Sequence, residues 1–146
     1  MKVKDILLRK GKVVHTIPPG ITVFEALKLM AEKNIGALPV IQGNELVGIF
    51  TERDYARKVI LKGKFSKDIL VGDVMQPHPI TVTEEEDIRA CMSLMTDKFV
   101  RHLPVMSEGK LAGIVSIGDI VKSIITEQEF IIENLSNYIS GGRGTV

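Results

Sequence analysis

The apolar positions of the chain predict the same elements, in the same order, in its two halves. Short apolar runs predict strands over residues 13–17, 37–41, 46–50, 103–106 and 111–115. The runs from residue 37 onward are almost continuously apolar rather than alternating. We therefore expect both faces of the sheets to be covered.

A helix is predicted after the first apolar run of each half, where apolar residues recur at i, i+3, i+4 and i+7. In the first half, Thr22 and Glu25 have capping-box spacing and place this helix at residues 22–33. In the second half Asp87 takes the cap position, although Thr83 with Glu86 offers a competing start four residues earlier. Alignment of the two halves favours Asp87.

Another helix is predicted to begin after the last strand of each half, at Thr51 and at Ser116. The first should end near Leu61, whereas apolar residues at helical spacing extend the second to Tyr138. Short segments at residues 3–8 and 71–75 lead into the two halves and correspond to each other.

The two halves are a tandem duplication. Leu38-Pro39-Val40 with Gly48-Ile49 recurs 65 positions later as Leu103-Pro104-Val105 with Gly113-Ile114. Each half reads as strand–helix–strand–strand–helix, and a single unit would leave an apolar sheet face exposed. We therefore expect an α+β fold in which two tandem β-α-β-β-α repeats pack about a pseudo-twofold axis, with two clefts between them.

This organisation divides the chain into five parts. The expected boundaries are repeat 1 over residues 1–61, a linker over 62–70, repeat 2 over 71–126, a C-terminal helix extension over 127–140 and a flexible tail over 141–146.

Composition excludes several classes of partner. The 146 residues have a net charge of +1, which provides no long-range field to attract nucleic acid or an anionic membrane. Cys91 is the single cysteine, so a reducing compartment is expected. Since the first apolar run is too short for a signal peptide and no run has the length of a membrane span, the sequence predicts a soluble, cytoplasmic protein.

The candidate chemistry lies at two helix starts, Thr51-x-x-Asp54 and Ser116-x-x-Asp119. The free amides and positive dipole end of a helix start favour an anion such as phosphate. An ionised carboxylate three residues on can accept both hydrogen bonds of a ribose diol. Together these groups predict a nucleotide site.

The same residues also form a capping box, which stabilises a helix by about 0.5–2 kcal/mol without a ligand. Nucleotide binding is favoured over capping alone because the pair occurs in both repeats and because a capping box prefers Glu to Asp at its third position.

Neither a metal site nor an enzyme is expected. The three histidines, His15, His78 and His102, have no metal-ligand spacing, and Cys91 stands on an apolar helix face. The sequence contains no recognisable nucleophile–base pair or phosphate-binding glycine loop.

The repeated pattern Leu-Pro-Val, then Gly-Ile-x-[Thr/Ser]-x-x-Asp, resembles the cystathionine-β-synthase (CBS) domain pair, or Bateman module. The resemblance covers about Val3 to Ile125, and residues 51–59 and 127–130 resemble those of stand-alone CBS-pair proteins. It implies a regulatory module with no obligatory cofactor, whose ligand is an adenine nucleotide. AMP is the first expectation, and ADP, ATP, NAD(H) and S-adenosylmethionine share its adenosine half.

The resemblance also implies residue roles. Asp54 and Asp119 would take the ribose hydroxyls, and Thr51 and Ser116 would meet the phosphate. The adenine slot of each cleft would come from the opposite repeat, with further residues near the base; the residues expected there are Ile35, Gly36, Ala37, Val100, Arg101, His102, Asp5, Asp73, His15 and Ile80.

The two repeats differ where a ligand would bind. Arg101-His102 corresponds to Gly36-Ala37, and Arg53 corresponds to Gly118, so one cleft should hold more basic groups and bind more tightly. The expected partners are a second copy of the chain, paired through its second helices, and an unknown regulated protein. The alternative is a protein-interaction regulator with vestigial clefts that docks through the long C-terminal helix.

Overall fold

The computed structural model describes residues 1–11 and 13–144. The helices are α1 (Val3–Lys10), α2 (Val23–Lys33), α3 (Glu52–Lys58), α4 (Val71–Val74), α5 (Ile88–Lys98) and α6 (Ile117–Gly144), with a 3-10 turn at Ile60–Lys62. The strands are β1 (Ala37–Gln42), β2 (Glu45–Thr51), β3 (Gln76–Pro77), β4 (Val82–Thr83), β5 (His102–Ser107) and β6 (Lys110–Ser116).

Two three-stranded sheets form, in the orders β1-β2-β3 and β4-β5-β6. The predicted hairpins β1–β2 and β5–β6 are antiparallel and have register shifts at equivalent places, after Val40 and after Val105. β3 comes from the second half of the chain but pairs with β2 of the first half. The α+β fold with two tandem repeats is therefore present, and one strand from the second half of the chain joins the sheet of repeat 1.

The repeats also exchange their first helices. Val3 and Ile6 of α1 are buried in the core of repeat 2, with Ile88 and Leu103 among the surrounding residues. Val71 and Val74 of α4 are buried in the core of repeat 1, in the same cluster as Val23 and Phe50. Each core is thus completed by a helix from the opposite half of the chain.

Equivalent hydrogen bonds anchor the two exchanged helices. Val3 N–H donates to Glu86 O at 2.9 Å, and Val71 N–H donates to Ile21 O at 2.9 Å. Lys4 N–H and Gly72 N–H make the corresponding bonds one residue later, to Glu84 O and Pro19 O. The matching pattern is what a pseudo-twofold relation between the repeats requires.

Most of the predicted strand at residues 13–17 is wrong. Only Ile17 bonds to β1, in an isolated parallel bridge with Val40, and Val13 is 79% exposed. In the register that this bridge sets, Val13 would lie opposite Gly36, before β1 begins. Residues 14–16 would lie opposite Ala37–Pro39 but form no bridge to β1, so only the last residue of the predicted strand pairs with the sheet.

The two helix caps lie at the predicted residues, although at Thr22 only one of the two bonds of a capping box is formed. Thr22 Oγ1 accepts a hydrogen bond from Glu25 N–H at 3.2 Å, and Asp87 Oδ1 accepts one from Arg89 N–H at 2.8 Å. Asp87, rather than Thr83, is thus the cap of α5.

The second helices of the two repeats differ in length. α3 ends at Lys58 and gives way to the 3-10 turn, whereas α6 runs on to Gly144. The sequence places residues 141–144 in a flexible tail, but α6 includes them. Glycine disfavours a helix without forbidding it. Residues 145–146 of that tail lie outside the described residues.

The linker, residues 62–70, is tied to the start of α2. Ser66 O accepts a hydrogen bond from Phe24 N–H at 3.0 Å, and Ile69 O accepts one from Val23 N–H at 2.8 Å. Lys67 Nζ lies 4.8 Å from the centroid of the Phe24 ring. These carbonyls satisfy amides that a helix start leaves free.

Two strand glycines allow segments of the opposite half to approach: Gly113 faces α1, and Gly48 faces the residues that follow α4. A Cβ on Gly113 would lie 2.6 Å from Leu7 Cδ2, and a Cβ on Gly48 would lie 2.5 Å from Met75 Sδ and 2.8 Å from Gln76 O. Such contacts are shorter than packed atoms allow. The opposite half can approach because Gly48 in β2 and Gly113 in β6 have no side chain.

Replacing Gly48 with Ala should lower the free energy of unfolding by about 1–3 kcal/mol, since Gln76 O is a backbone atom that cannot rotate away from the new methyl group. Chemical denaturation measures the change. Gly20→Ala is the matched control: its Cβ meets nothing within 4 Å, so its effect should stay within about 0.5 kcal/mol. Equal, small effects of both variants would contradict the close approach at Gly48.

Candidate functional site

The helix start at Thr51 forms a complete capping box. Asp54 N–H donates to Thr51 Oγ1 at 3.2 Å, while Asp54 Oδ2 accepts hydrogen bonds from Thr51 N–H at 2.9 Å and from Thr51 Oγ1 at 3.0 Å. The backbone at this helix start is held against the residue that precedes β1, because Glu52 N–H donates to Gly36 O.

The second oxygen of Asp54 is also occupied. Gln76 Nε2 donates to Asp54 Oδ1 at 3.2 Å, and Lys58 Nζ lies 3.2 Å from the same oxygen. Asp54 is only 2% exposed. The carboxylate is thus fully bonded within the protein, and a ligand hydroxyl could reach it only by displacing Gln76 or Lys58.

Asp54 lines a cavity of about 890 Å³ that lies between the two repeats. The cavity brings together seven of the residues that the sequence proposes for nucleotide binding: Gly36, Thr51, Arg53, Asp54, Val100, Arg101 and His102. The first four belong to repeat 1 and the last three to repeat 2, as expected for a cleft that both repeats build.

The cavity is basic. Its lining includes five cationic side chains against the two carboxylates of Glu52 and Asp54; the cations are Arg53, Arg57, Lys58, Lys98 and Arg101. Arg53 also joins the repeats, because its Nη1 donates to Phe99 O at 2.6 Å. An enclosed surface with this balance of charge attracts anions.

The equivalent helix start at Ser116 has a different environment. Asp119 N–H donates to Ser116 Oγ at 3.1 Å, and Asp119 Oδ2 accepts from Ser116 N–H at 2.9 Å, so the capping box is present here too. The same Oδ2 accepts from Lys10 Nζ at 2.8 Å, and Lys10 also bonds Ile114 O. Lys10, from the exchanged helix α1, therefore covers this carboxylate.

Two groups near this second start have shifted pKa values. Burial alone would raise the pKa of Asp119, but the hydrogen bonds from Lys10 and Ser116 outweigh it and hold that pKa below its usual value. Burial, assisted by the positive charges of Lys10 and Arg101, lowers the pKa of His102. Asp119 is therefore ionised, and His102 is neutral, near pH 7.

The remaining proposed residues stand apart from the described cavity. Ile35 lines a smaller neighbouring pocket of about 460 Å³, and Ala37 is buried in β1. Asp5 Oδ2 accepts a hydrogen bond from Lys2 N–H at the start of α1, and Asp73 is exposed in α4. Neither these two nor Ser116, Asp119, His15 and Ile80 line either of these two cavities.

Comparison with known proteins identifies the family. A model of the CBS domain matches residues 3–61 and again residues 71–126. The chain belongs to the CBS domain family. It carries two copies of the domain, and the structure above is that of a CBS pair.

Individual relatives agree with this assignment. The CBS domain-containing protein CBSX3, mitochondrial, from Arabidopsis thaliana is 44% identical over 96% of this chain and 72% of its own length. A solved structure of a protein with CBS domains from Burkholderia ambifaria MC40-6 is 45% identical, with a TM-score of 0.84 over 88% of this chain and 96% of that one.

A third relative was solved with ligands. The CBS domain pair of protein MJ0100, in complex with 5′-methylthioadenosine and S-adenosyl-L-methionine, is 29% identical, with a TM-score of 0.77 over 87% of this chain and 98% of that one. That protein thus holds adenosine-containing molecules on a CBS pair with the same fold.

Several residues at the cavity and at the two carboxylates are absent from the set that the sequence predicts. Arg57 and Lys58 follow Asp54 on one helix, so their spacing could have revealed them. Lys98 and Phe99 directly precede a segment that was proposed. Gln76 and Lys10 could not be found without the exchange of α4 and α1, which carries them to the opposite repeat.

Two negative findings concern the part of the chain that the structure describes. Over residues 1–11 and 13–144, no three His, Cys, Asp or Glu side chains are grouped so that they could hold a metal ion. Within the same residues, no helix has both the length and the apolar character needed to cross a bilayer.

The lowered pKa of His102 predicts a pH effect on stability. The folded protein takes up this proton less readily than the unfolded chain, so the stabilisation is complete above the unfolded pKa of about 6.5 and declines as the pH falls below it. Urea midpoints at about pH 7.5 and 5.5 should differ more in the wild type than in His102→Gln. His78→Gln, at an exposed position, should behave as the wild type, and identical pH profiles for all three proteins would contradict the assignment.

Proposed function

We propose that this CBS pair is a regulatory module that binds an adenine nucleotide in the cleft between its repeats. The observation that carries the proposal is the basic cavity that joins Thr51 and Asp54 of repeat 1 to Val100, Arg101 and His102 of repeat 2. The adenosine compounds held by the MJ0100 pair support an adenosine ligand. AMP is the first candidate, with ADP, ATP and NAD(H) as further members of the class.

The charge of the cavity favours phosphates over an uncharged or cationic adenosine compound. Five cations face two acids, and guanidinium groups such as those of Arg53 and Arg101 bind phosphate oxygens in pairs. Thr51 adds a hydroxyl at the helix start beside them. S-adenosylmethionine, which carries a sulfonium cation, is the least favoured member of the ligand set.

The ribose role falls on Asp54 in this cleft and on Asp119 in the other. A ligand in the first cleft would replace Gln76 or Lys58 at Asp54 Oδ1, and one in the second would compete with Lys10 at Asp119. The contrast between a basic cavity and a carboxylate covered by Lys10 supports unequal sites, with the first dominant.

Regulation would follow from the position of the ligand between the repeats. A molecule that contacts both repeats stabilises the arrangement it binds best, in proportion to the difference in affinity. Arg53 already links the repeats through Phe99 O, so phosphate binding at Arg53 would compete with this link. The altered surface would be sensed by a regulated protein, and no catalytic step is part of the proposal.

The second candidate function is a protein-interaction regulator with vestigial clefts. Its specific support is Asp54, whose oxygens are all engaged within the protein. In that case the Thr51–Asp54 pair acts only as a helix cap.

We also propose that the chain forms a homodimer, since large apolar side chains remain exposed on α6. A cytoplasmic location is a further proposal, although the Arabidopsis thaliana relative has a mitochondrial name. Fractionation of the source cells would test it: recovery of the protein only in an organelle fraction would exclude it.

Nucleotide binding should raise the melting temperature. A ligand at one hundred times its dissociation constant stabilises the native state by about 2.7 kcal/mol, because only the folded protein binds it. AMP, ADP, ATP, NADH and S-adenosylmethionine should be compared by differential scanning fluorimetry. We expect a rise of several degrees with the phosphate-containing compounds and the smallest rise with S-adenosylmethionine.

Arg101→Ala is the variant that tests the site. Arg101 lines the cavity and is exposed, so its loss should reduce the nucleotide response at least tenfold in affinity while leaving the melting temperature of the free protein nearly unchanged. Lys28→Ala removes one positive charge at another exposed position, which does not line the cavity, and is the matched control. No response to any compound in the wild type would favour the protein-interaction function instead.

A further inference from the structure

The C-terminal helix extension, residues 127–140, projects from the body of the protein, and its described side chains beyond Glu127 make no hydrogen bond or ion pair with that body. Among the described residues, Glu127 is the last one bonded to the body, through Arg89 Nη2 at 2.6 Å and the N-terminal amine at 3.2 Å. Every residue from 128 to 139 is exposed, although the helix continues to Gly144. The exposed apolar side chains of this segment therefore need a surface outside the body of this chain to cover them.

Those residues form one continuous stripe, which we call the seam. Its positions alternate in steps of four and three residues along α6: Val121, Ile125, Gln128, Ile132, Leu135 and Ile139. Ile131 and Tyr138 lie beside the seam. They continue the face of α6 that is buried against the body near the start of the helix, at Ile120. Alternate steps of four and three are the spacing of a helix that packs against another helix along its length.

The seam and its two flanking residues expose an apolar surface that is unusually large for a monomer. Seven of these eight side chains are large and apolar, and they are between 38% and 82% exposed. Together they present on the order of 800 Å² of surface, about what one partner contributes to a standard protein interface. A monomer rarely leaves so large an apolar patch uncovered, and an isolated helix segment of this length is marginal in water.

The character of the seam favours a second copy of this chain. It contains no charged residue and one polar residue, Gln128, so the same surface on two molecules matches itself, as a twofold interface requires. A single polar position within an apolar seam is also the usual device that fixes the alignment of two paired helices. We infer that the helix extension pairs along the seam with the same helix of a second copy; this inference rests on the proposed homodimer and names the surface that forms it.

Phe130 provides the control that the chain itself offers. It is 63% exposed, against 65% for Ile132. At 100° per residue it lies on the face of α6 opposite the seam. A charge introduced at Phe130 or at Ile132 therefore replaces a side chain of similar exposure on the same helix. Only the change at Ile132 falls on the proposed interface.

The experiment measures the mass of the full-length protein by size-exclusion chromatography with light scattering, over a range of concentrations. The wild type and Phe130→Glu should be dimers. The double variant Ile132→Glu with Leu135→Glu should be a monomer, with its nucleotide response and folded circular dichroism retained. Gln128→Leu should lower the dimer dissociation constant at least tenfold, because it replaces the polar position of the seam.

The outcomes separate this inference from the proposal beneath it. A monomeric wild type at every concentration would overturn the homodimer and the seam pairing together. A dimeric double variant would leave the homodimer standing but overturn the seam as its interface. Loss of the dimer in Phe130→Glu as well would also overturn it, since the effect would then not depend on the face of the helix.

Discussion

The exchange of two short helices between the repeats is the constraint on which the rest of this structure depends. α1 buries Val3 and Ile6 in the core of repeat 2, and α4 buries Val71 and Val74 in the core of repeat 1. Because the hydrophobic effect scales with buried apolar area, neither core is complete without the other half of the chain. The relative position of the repeats is thus set by core packing rather than by surface contacts.

The same exchange shapes both clefts. The segment after α4 delivers Gln76 to Asp54, and the end of α1 delivers Lys10 to Asp119. Each repeat therefore supplies the helix start and its carboxylate, while the opposite half supplies the side chain that rests on that carboxylate. A molecule that displaced either side chain would act directly on a segment from the opposite half of the chain, which gives ligand binding a physical route to the arrangement of the repeats.

Much of the fold could be predicted because it is encoded locally and twice. The caps at Thr22 and Asp87, the two hairpins and the helix starts at Thr51 and Ser116 all depend on residues within a few positions of one another. The apolar run at residues 13–17 predicts a full strand, but only Ile17 bridges to β1, because the side-chain preference of a run does not decide which of its residues pair. Seven of the residues proposed for the site line one cavity, but Gln76 and Lys10 depend on the exchange and leave no local signal.

The closeness of the exchanged segments has a consequence for how such a chain could arise and be divided. The glycine at position 48 or 113 accepts a segment that reaches it from the other half of the molecule. A half-length ancestor would therefore have needed a second copy of itself, with which it exchanged its first helix. Duplication would then have joined the two chains of an existing dimer. By the same reasoning, a single cut in the 62–70 segment should leave the two fragments clasped together, whereas either fragment made alone would lack part of its interior.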